Sequence, residues 1–277
     1  MKARIMRGVA ALAAVAATTA MVVGFGGSSS AAGLRLQAYG ISSDGTLMAA
    51  FKTDTPQVLD WVRTPAPLVN DMKLIGIDFR VQNNTMYAVG DKGGIYTVSL
   101  NAGSEGTLTK VSQLTTPLQG TNFGVDFNPA ADRLRVISDF GQNLKHNLNI
   151  NNTETNNPLS ASSVPAAAYT NNDLQSGTAT TLFDLITSTG QVAIQSPPDL
   201  GFLIPTGLCG PMGPNAGLDI FSDLSNGKTI SNTAFATFIP PGSRAGLYTV
   251  DVLTGACSPV GQFPLSITDV TVALDSN

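Results

Sequence analysis

The chain has 277 residues, a formal charge of −4 and only 12% charged side chains. A net-acidic chain without Lys/Arg clusters offers little to the phosphates of a nucleic acid or to an anionic membrane surface, so both are excluded as partners. Two cysteines and one histidine are too few for a typical structural zinc site within one chain.

Residues 1–32 stand apart from the rest. Lys2, Arg4 and Arg7 precede an Ala/Val-rich run at 9–23, and small residues follow at 24–32. This is the layout of a secretory signal peptide, and the run is shorter than the roughly 20 residues of a spanning helix. An uncleaved anchor is the competing reading. Residues 33–277 read as a single domain, expected to be secreted or otherwise extracytoplasmic, at a cell surface or in a periplasm. Nothing in them is apolar for long enough to span a membrane as a helix. Losing three positive charges and no negative ones takes the formal charge from −4 to −7. In an oxidising compartment Cys209 and Cys257 are expected to pair as a disulfide.

In chain order, alternation predicts strands at 34–41, 46–52 and 57–63, with Asp44-Gly45 marking the first turn. No fourth strand accompanies these three. A four-strand meander follows at 73–80, 86–89, 94–100 and 107–114, joined by Gly-, Asn- and Ser-rich loops. A second copy opens at 123–127 and continues at 134–138 and 143–150, losing definition over 151–163. The two copies share a phrase, I-G-I-D-F-R at 75–80 and F-G-V-D-F-N at 123–128, with Gly76 and Gly124 48 residues apart. A third, weaker copy spans 165–170, 180–186, 191–195 and 202–206, and places Tyr169 where the others carry Asp. After a Gly/Pro-rich linker at 207–215, G-L-D-I-F at 217–221 restores the phrase, 93 residues beyond Gly124. That unit contains an insertion around 222–228, then outer strands at 246–252 and 258–263. The chain closes with an opening strand at 267–274 and no meander after it.

The two ends are complementary: three outer strands without an inner one, and an inner strand without outer ones. Pairing them closes a ring. A meander repeated every 43–50 residues is the pattern of an all-β propeller with five blades, closed by its terminal strands. A sixth blade, concealed in 223–240 and the linker, is one alternative. A β-sandwich is another, although it would not produce this period. Gly76, Gly124 and Gly217 suit inner strands that crowd near an axis.

The stretch G-T-N-F-G-V-D-F-N-P-A-A-D-R-L-R-V-I-S-D-F-G-Q-N-L at 120–144 resembles the core motif of a bacterial exported family, domain of unknown function family 4394. The resemblance extends to L-I-G-I-D-F-R at 74–80, M-Y-A-V-G at 86–90 and A-A-A-Y-T-N-N-D at 166–173, and covers most of 36–274. It is looser at 145–163 and after Phe221. It implies an exported protein with propeller-like repeats, and no reaction, ligand or catalytic residue.

The repeat itself supplies the candidate site. Asp78, Asp126, Asp219 and Asp269 occupy one position of the opening strand. Near an axis they would form an acidic ring for a hard cation such as calcium, or acid/base groups for a sugar. A plainer reading has each Asp accept backbone N–H bonds from a turn of its own blade. Catalysis needs unequal carboxylates, not one per repeat, which favours that reading. Arg133 and Arg135, near Asp126, Asp132 and Asp139, are expected to pair with one of these carboxylates, an anion-binding site being the alternative. His146 is the single histidine, and no serine stands in a nucleophile elbow. D-K-G-G at 91–94 and D-L-S-N-G at 223–227 lack the full ligand series of a calcium loop and read as turns. Tyr39, Phe51 and Trp61 read as core aromatics or as a rim on which sugars could stack. No catalytic residue, metal ligand or cofactor is assigned. The expected function is a non-catalytic binding or interaction module for a glycan or protein ligand. The alternatives are a carbohydrate-active hydrolase or lyase using the axial Asp residues, and a metal-stabilised structural propeller.

Overall fold

The structure, a computed structural model, describes residues 33–276. The proposed signal peptide therefore lies outside the described residues. Five four-stranded antiparallel sheets make up the fold. The first blade combines β1 (Gln37–Ser42), β2 (Met48–Lys52) and β3 (Leu59–Arg63) with β20 (Ile267–Val272). The second holds β4 (Leu74–Arg80), β5 (Thr85–Gly90), β6 (Gly94–Val98) and β7 (Leu108–Gln113). The third holds β8 (Phe123–Asn128), β9 (Arg133–Ser138), β10 (Asn143–Asn147) and β11 (Asn152–Thr155). The fourth holds β12 (Ala166–Tyr169), β13 (Leu182–Ile186), β14 (Gln191–Gln195) and β15 (Leu203–Leu208). The fifth holds β16 (Ala216–Ser225), β17 (Lys228–Phe238), β18 (Gly246–Val250) and β19 (Cys257–Gln262).

The inner strands β20, β4, β8, β12 and β16 touch in that order, and β16 returns to β20. This is a closed five-bladed β-propeller. The closure is the one the termini imply: Ala38 of β1 faces Val272 of β20, and Ile41 faces Asp269. An open array would leave an unpaired strand edge and an uncovered face at each end.

Inner strands are buried on both faces, and outer strands are largely exposed. The apolar core is accordingly divided into five slabs, one at each junction between blades. Ile77, Phe79 and Met86 of the second blade meet Tyr39, Ile41 and Met48 of the first. Val125 and Phe127 of the third meet Tyr87 and Ile95 of the second. Ile137 of the third meets Tyr169 and Leu182 of the fourth. Phe183 and Leu185 of the fourth meet Leu218 and Ile220 of the fifth. Phe235 and Leu247 of the fifth meet Phe51 and Val270 of the first. Burial on both sides explains why these strands read as apolar runs without clean alternation.

Two stretches differ from expectation. Residues 152–155, inside the poorly defined region, are strand β11, which pairs with β10 from Leu144–Thr155 to Asn147–Asn152. Its N-T-E-T sequence carries no apolar signal because its side chains are mostly exposed. The insertion at 222–228 is no separate element. It is the tip of a long hairpin in which β16 and β17 stay paired to Ser225–Lys228, turning at Asn226-Gly227 with φ of 52° and 69°. Residues 223–240 thus belong to the fifth blade, and the described residues hold no sixth.

Candidate functional site

The repeated Gly-x-Asp phrase works as a pair. A Cβ on Gly124 would stand 2.7 Å from the Ala167 nitrogen and 2.8 Å from the Ala166 carbonyl carbon, both in the neighbouring inner strand. A Cβ on Gly76 would meet Val125 at 2.3 Å, and one on Gly217 would meet the Asp269 Cα at 2.5 Å. The glycine lets the next strand approach, and the aspartate two residues on reaches its backbone. Phe127 N–H donates to Asp78 Oδ2 at 2.7 Å, and Tyr169 N–H to Asp126 Oδ1 at 3.1 Å. Val272 N–H donates to Asp219 Oδ2 at 2.5 Å, and Ile77 N–H to Asp269 Oδ2 at 2.9 Å. In each case the donor belongs to the following blade. The carboxylates fasten one blade to the next instead of closing a turn within their own.

The fourth blade departs from this pattern. Ala168 and Ala166 face the slab shared with the fifth blade, whereas Tyr169 faces back toward the third. The residue in the aspartate's position is therefore Ala168, not Tyr169.

Asp78, Asp126 and Asp219 each bring a carboxylate oxygen within 4.8 Å of the other two. All four aspartates are buried, or nearly so. Burial, with Asp219 adding repulsion, holds Asp78 well above the usual carboxylate range. Asp126 is likewise raised by burial and by Asp78 and Asp219. Burial takes Asp219 to about 6 and Asp269 to about 8, with backbone N–H bonds opposing the rise in both. Like charges this close in a poor dielectric favour retained protons. Five of the six oxygens on these three residues already accept protein hydrogen bonds, which leaves little for calcium, a cation that takes six to eight oxygens: Asp78 also accepts from Thr271 Oγ1 at 3.1 Å, and Asp219 from Ile220 N–H at 2.6 Å.

Where β4, β8 and β20 begin, on what is here termed the upper face, Ser42, Lys73, Thr121, Asn122, Asn215 and Asp269 line a cavity of about 30 Å³. That is room for about two waters, against roughly 300–1,000 Å³ for a ligand pocket. A larger recess of about 240 Å³ lies between the β17–β18 and β19–β20 loops. Ile239, Phe263, Pro264 and Leu265 give it apolar walls, and Ser243 and Arg244 stand at its edge.

Other candidates resolve as follows. Arg135 is buried and pairs across the junction with Asp199 of the fourth blade at 2.9 Å, while also donating to Tyr169, Asn143 and Asn156. The expected nearby partners are engaged elsewhere: Asp132 holds Arg80 at 2.6 Å, and Asp139 accepts from Thr121 and Asn122 N–H. Arg133 donates to the carbonyls of its own turn. His146 is fully buried between Ser112 Oγ and Thr153 Oγ1, each at 2.9 Å, and burial lowers its pKa to about 4. Because Ser112 Oγ donates to Asn151 Oδ1 at 2.6 Å, it accepts from His146 Nε2–H, which leaves Nδ1 to accept from Thr153 Oγ1. Tyr39 packs on Trp61 and Phe79, and Phe51 packs edge-on against Phe263, so these aromatics serve the slabs. Cys209 and Cys257 form a disulfide that joins the fourth blade to the fifth.

Sequence reasoning passed over Asp184, in the middle of β13. It is fully buried, and neither carboxylate oxygen finds a hydrogen-bond partner among the described residues. Burial raises it well above the usual range, with Arg135 opposing. The L-F-D-L-I sequence around it marked an apolar strand interrupted by an acid, which is the only signal available.

The profile of a family described as "Domain of unknown function (DUF4394)" matches residues 47–273. The chain belongs to this family. No curated protein matches it. Among solved structures, this DUF4394 chain is similar to TolB from Acinetobacter baumannii at 15% identity and a TM-score of 0.46, over 84% of this chain and 54% of that one. A protein of unknown function from Bacteroides thetaiotaomicron aligns at 12% identity and a TM-score of 0.47, over 87% and 68%. An auxiliary nutrient binding protein from the same organism aligns at 10% and 0.41, over 73% and 54%. The chain thus spans about half the length of TolB.

Proposed function

We propose that this DUF4394 protein is an exported, non-catalytic binding module whose ligand is held by the loops of the upper face. The observation that carries the reading is the sealing of the acidic group. Asp78, Asp126 and Asp219 are buried and hydrogen-bonded into neighbouring strands, and the cavity lined by the fourth aspartate, Asp269, holds only about 30 Å³. General acid/base work needs a carboxyl group within hydrogen-bond reach of substrate, and no sugar ring fits there. The recess beside Arg244, at about 240 Å³, is the roomier site. Its apolar walls and exposed guanidinium suit a ligand with an apolar body and an anionic or hydroxylated end. Export is supported by the disulfide, and no helix among the described residues is long and apolar enough to cross a membrane.

The test pairs binding with turnover. Thermal-shift screening of residues 33–277 against glycans, peptides and small carboxylates should give stabilising ligands whose effect Arg244→Ala weakens. The same glycans should not be hydrolysed. Turnover that Asp126→Asn abolishes would overturn the reading in favour of a carbohydrate-active enzyme. A shift with calcium that chelator reverses and Asp126→Asn removes would favour the metal-stabilised alternative.

A further inference from the structure

The five junctions are not fastened alike. Four have an aspartate bonded to the next inner strand, and the junction between the fourth and fifth blades has Ala168 in that place. This same junction carries the disulfide. Cys209 follows β15, and Cys257 is the first residue of β19, so the bond joins the two blades at their outer strands. The backbones there are in close contact: a Cβ on Gly207 would sit 1.8 Å from the Thr254 carbonyl oxygen. Toward the lower face, opposite the side where inner strands begin, the β12–β13 loop is tied to the long hairpin. Asn171 and Asn232 exchange hydrogen bonds, Asn172 donates to the Ile220 carbonyl, and Asp173 accepts from Thr229 N–H and Oγ1. Between rim and loop lies an apolar slab containing the small side chains Ala166, Ala168, Ala216 and Ala236.

We propose that the Cys209–Cys257 bond is a redox-operated latch that stands in for the missing aspartate, so that a dithiol reductant loosens the ring at this junction alone. Both cysteines are half-buried. A thiolate of the reductant attacks one Sγ, the S–S bond breaks, and the other sulfur leaves as a thiolate and takes a proton. The second thiol of the reductant then resolves the mixed disulfide. The reductant ends oxidised to its own disulfide, and Cys209 and Cys257 end as two thiols. With the rim released, the ties between the β12–β13 loop and the hairpin act as the hinge, and the slab behind Met212 and Val252 becomes reachable.

Amide hydrogen exchange on residues 33–277, oxidised and after dithiothreitol, tests this. Reduction should speed exchange in β12, β15, β16 and β19 by roughly tenfold or more while β4 and β8 stay within about twofold, since local opening follows the weakest fastening. Binding of a hydrophobic dye should rise in parallel. The Cys209→Ser/Cys257→Ser variant should show the same pattern without reductant. If it does not fold, wild-type protein reduced after folding provides the same measurement. Unchanged exchange in β12 and β16 on reduction would overturn the latch, as would equal acceleration in every inner strand.

Discussion

Asp126 and Asp184 are equally deep in the propeller, and their surroundings could hardly differ more. Asp126 lies on an inner strand and receives the N–H of Tyr169 from the next blade. Asp184 lies one strand further out, against the third blade, and no group among the described residues donates to either of its oxygens. The nearby Arg135 directs its N–H groups at Tyr169, Asn143, Asn156 and Asp199 instead. Depth alone, then, is only a penalty for a carboxyl group. It becomes a fastening where a neighbouring strand presents a donor that would otherwise be unpaired.

The sharpest way to break the contrast is to block the approach that makes the donor available. Gly124→Val would place a side chain against the Ala166–Ala167 backbone, at 2.7–2.9 Å for the first carbon alone. We expect loss of folding or a destabilisation above about 4 kcal/mol in urea unfolding. Asp126→Ala is next: it orphans the Tyr169 N–H and should cost about 1–3 kcal/mol. Asp126→Asn keeps an acceptor and removes repulsion from Asp78 and Asp219, so it should stay within about 1 kcal/mol of wild type. Equal losses in the two variants would show that the N–H bond is not what Asp126 supplies.

A slope with pH is expected as well. A carboxyl group whose folded pKa is raised contributes fully below its ordinary value near 3.8 and loses that contribution as pH climbs through the folded value. For Asp219 and Asp269 those values are about 6 and about 8. Stability from these groups should therefore fall between pH 4 and pH 8, by at most about 1.4 kcal/mol per pH unit for each proton. Asp269→Asn should flatten the part of the melting profile between pH 6 and pH 8. Asp184→Asn, which forfeits no hydrogen bond, should flatten the profile too and leave stability at pH 8 equal or up to about 1 kcal/mol higher.

The ring could be read from residues because its logic is repetitive. Gly76-x-Asp78, Gly124-x-Asp126 and Gly217-x-Asp219 mark inner strands, and the unmatched strands at either end imply their own pairing. What the aspartates hold could not be read, since each donor lies in another repeat: Phe127 for Asp78, Val272 for Asp219. The same distance in sequence hid the Arg135–Asp199 pair. Tyr169 was misplaced by one position because the fourth blade has no glycine or aspartate to anchor the alignment. Strand β11 was hidden because an exposed outer strand needs no apolar residues, and the β16–β17 hairpin because its polar tip looks like a loop. The disulfide was legible from cysteine number and compartment. That it spans the junction lacking an aspartate was not.

The seam between β1 and β20 also dictates an order of events. Gln37 accepts from Ala273 N–H at 2.9 Å, so the earliest strand of the propeller waits for the last. During synthesis the second to fifth sheets can assemble from neighbouring hairpins, while the first stays one strand short until β20 emerges. Contacts that span nearly the whole chain form slowly. Any lesion that stops translation before Ile267 would leave an open arc with two bare flanks, prone to associating with another of its kind.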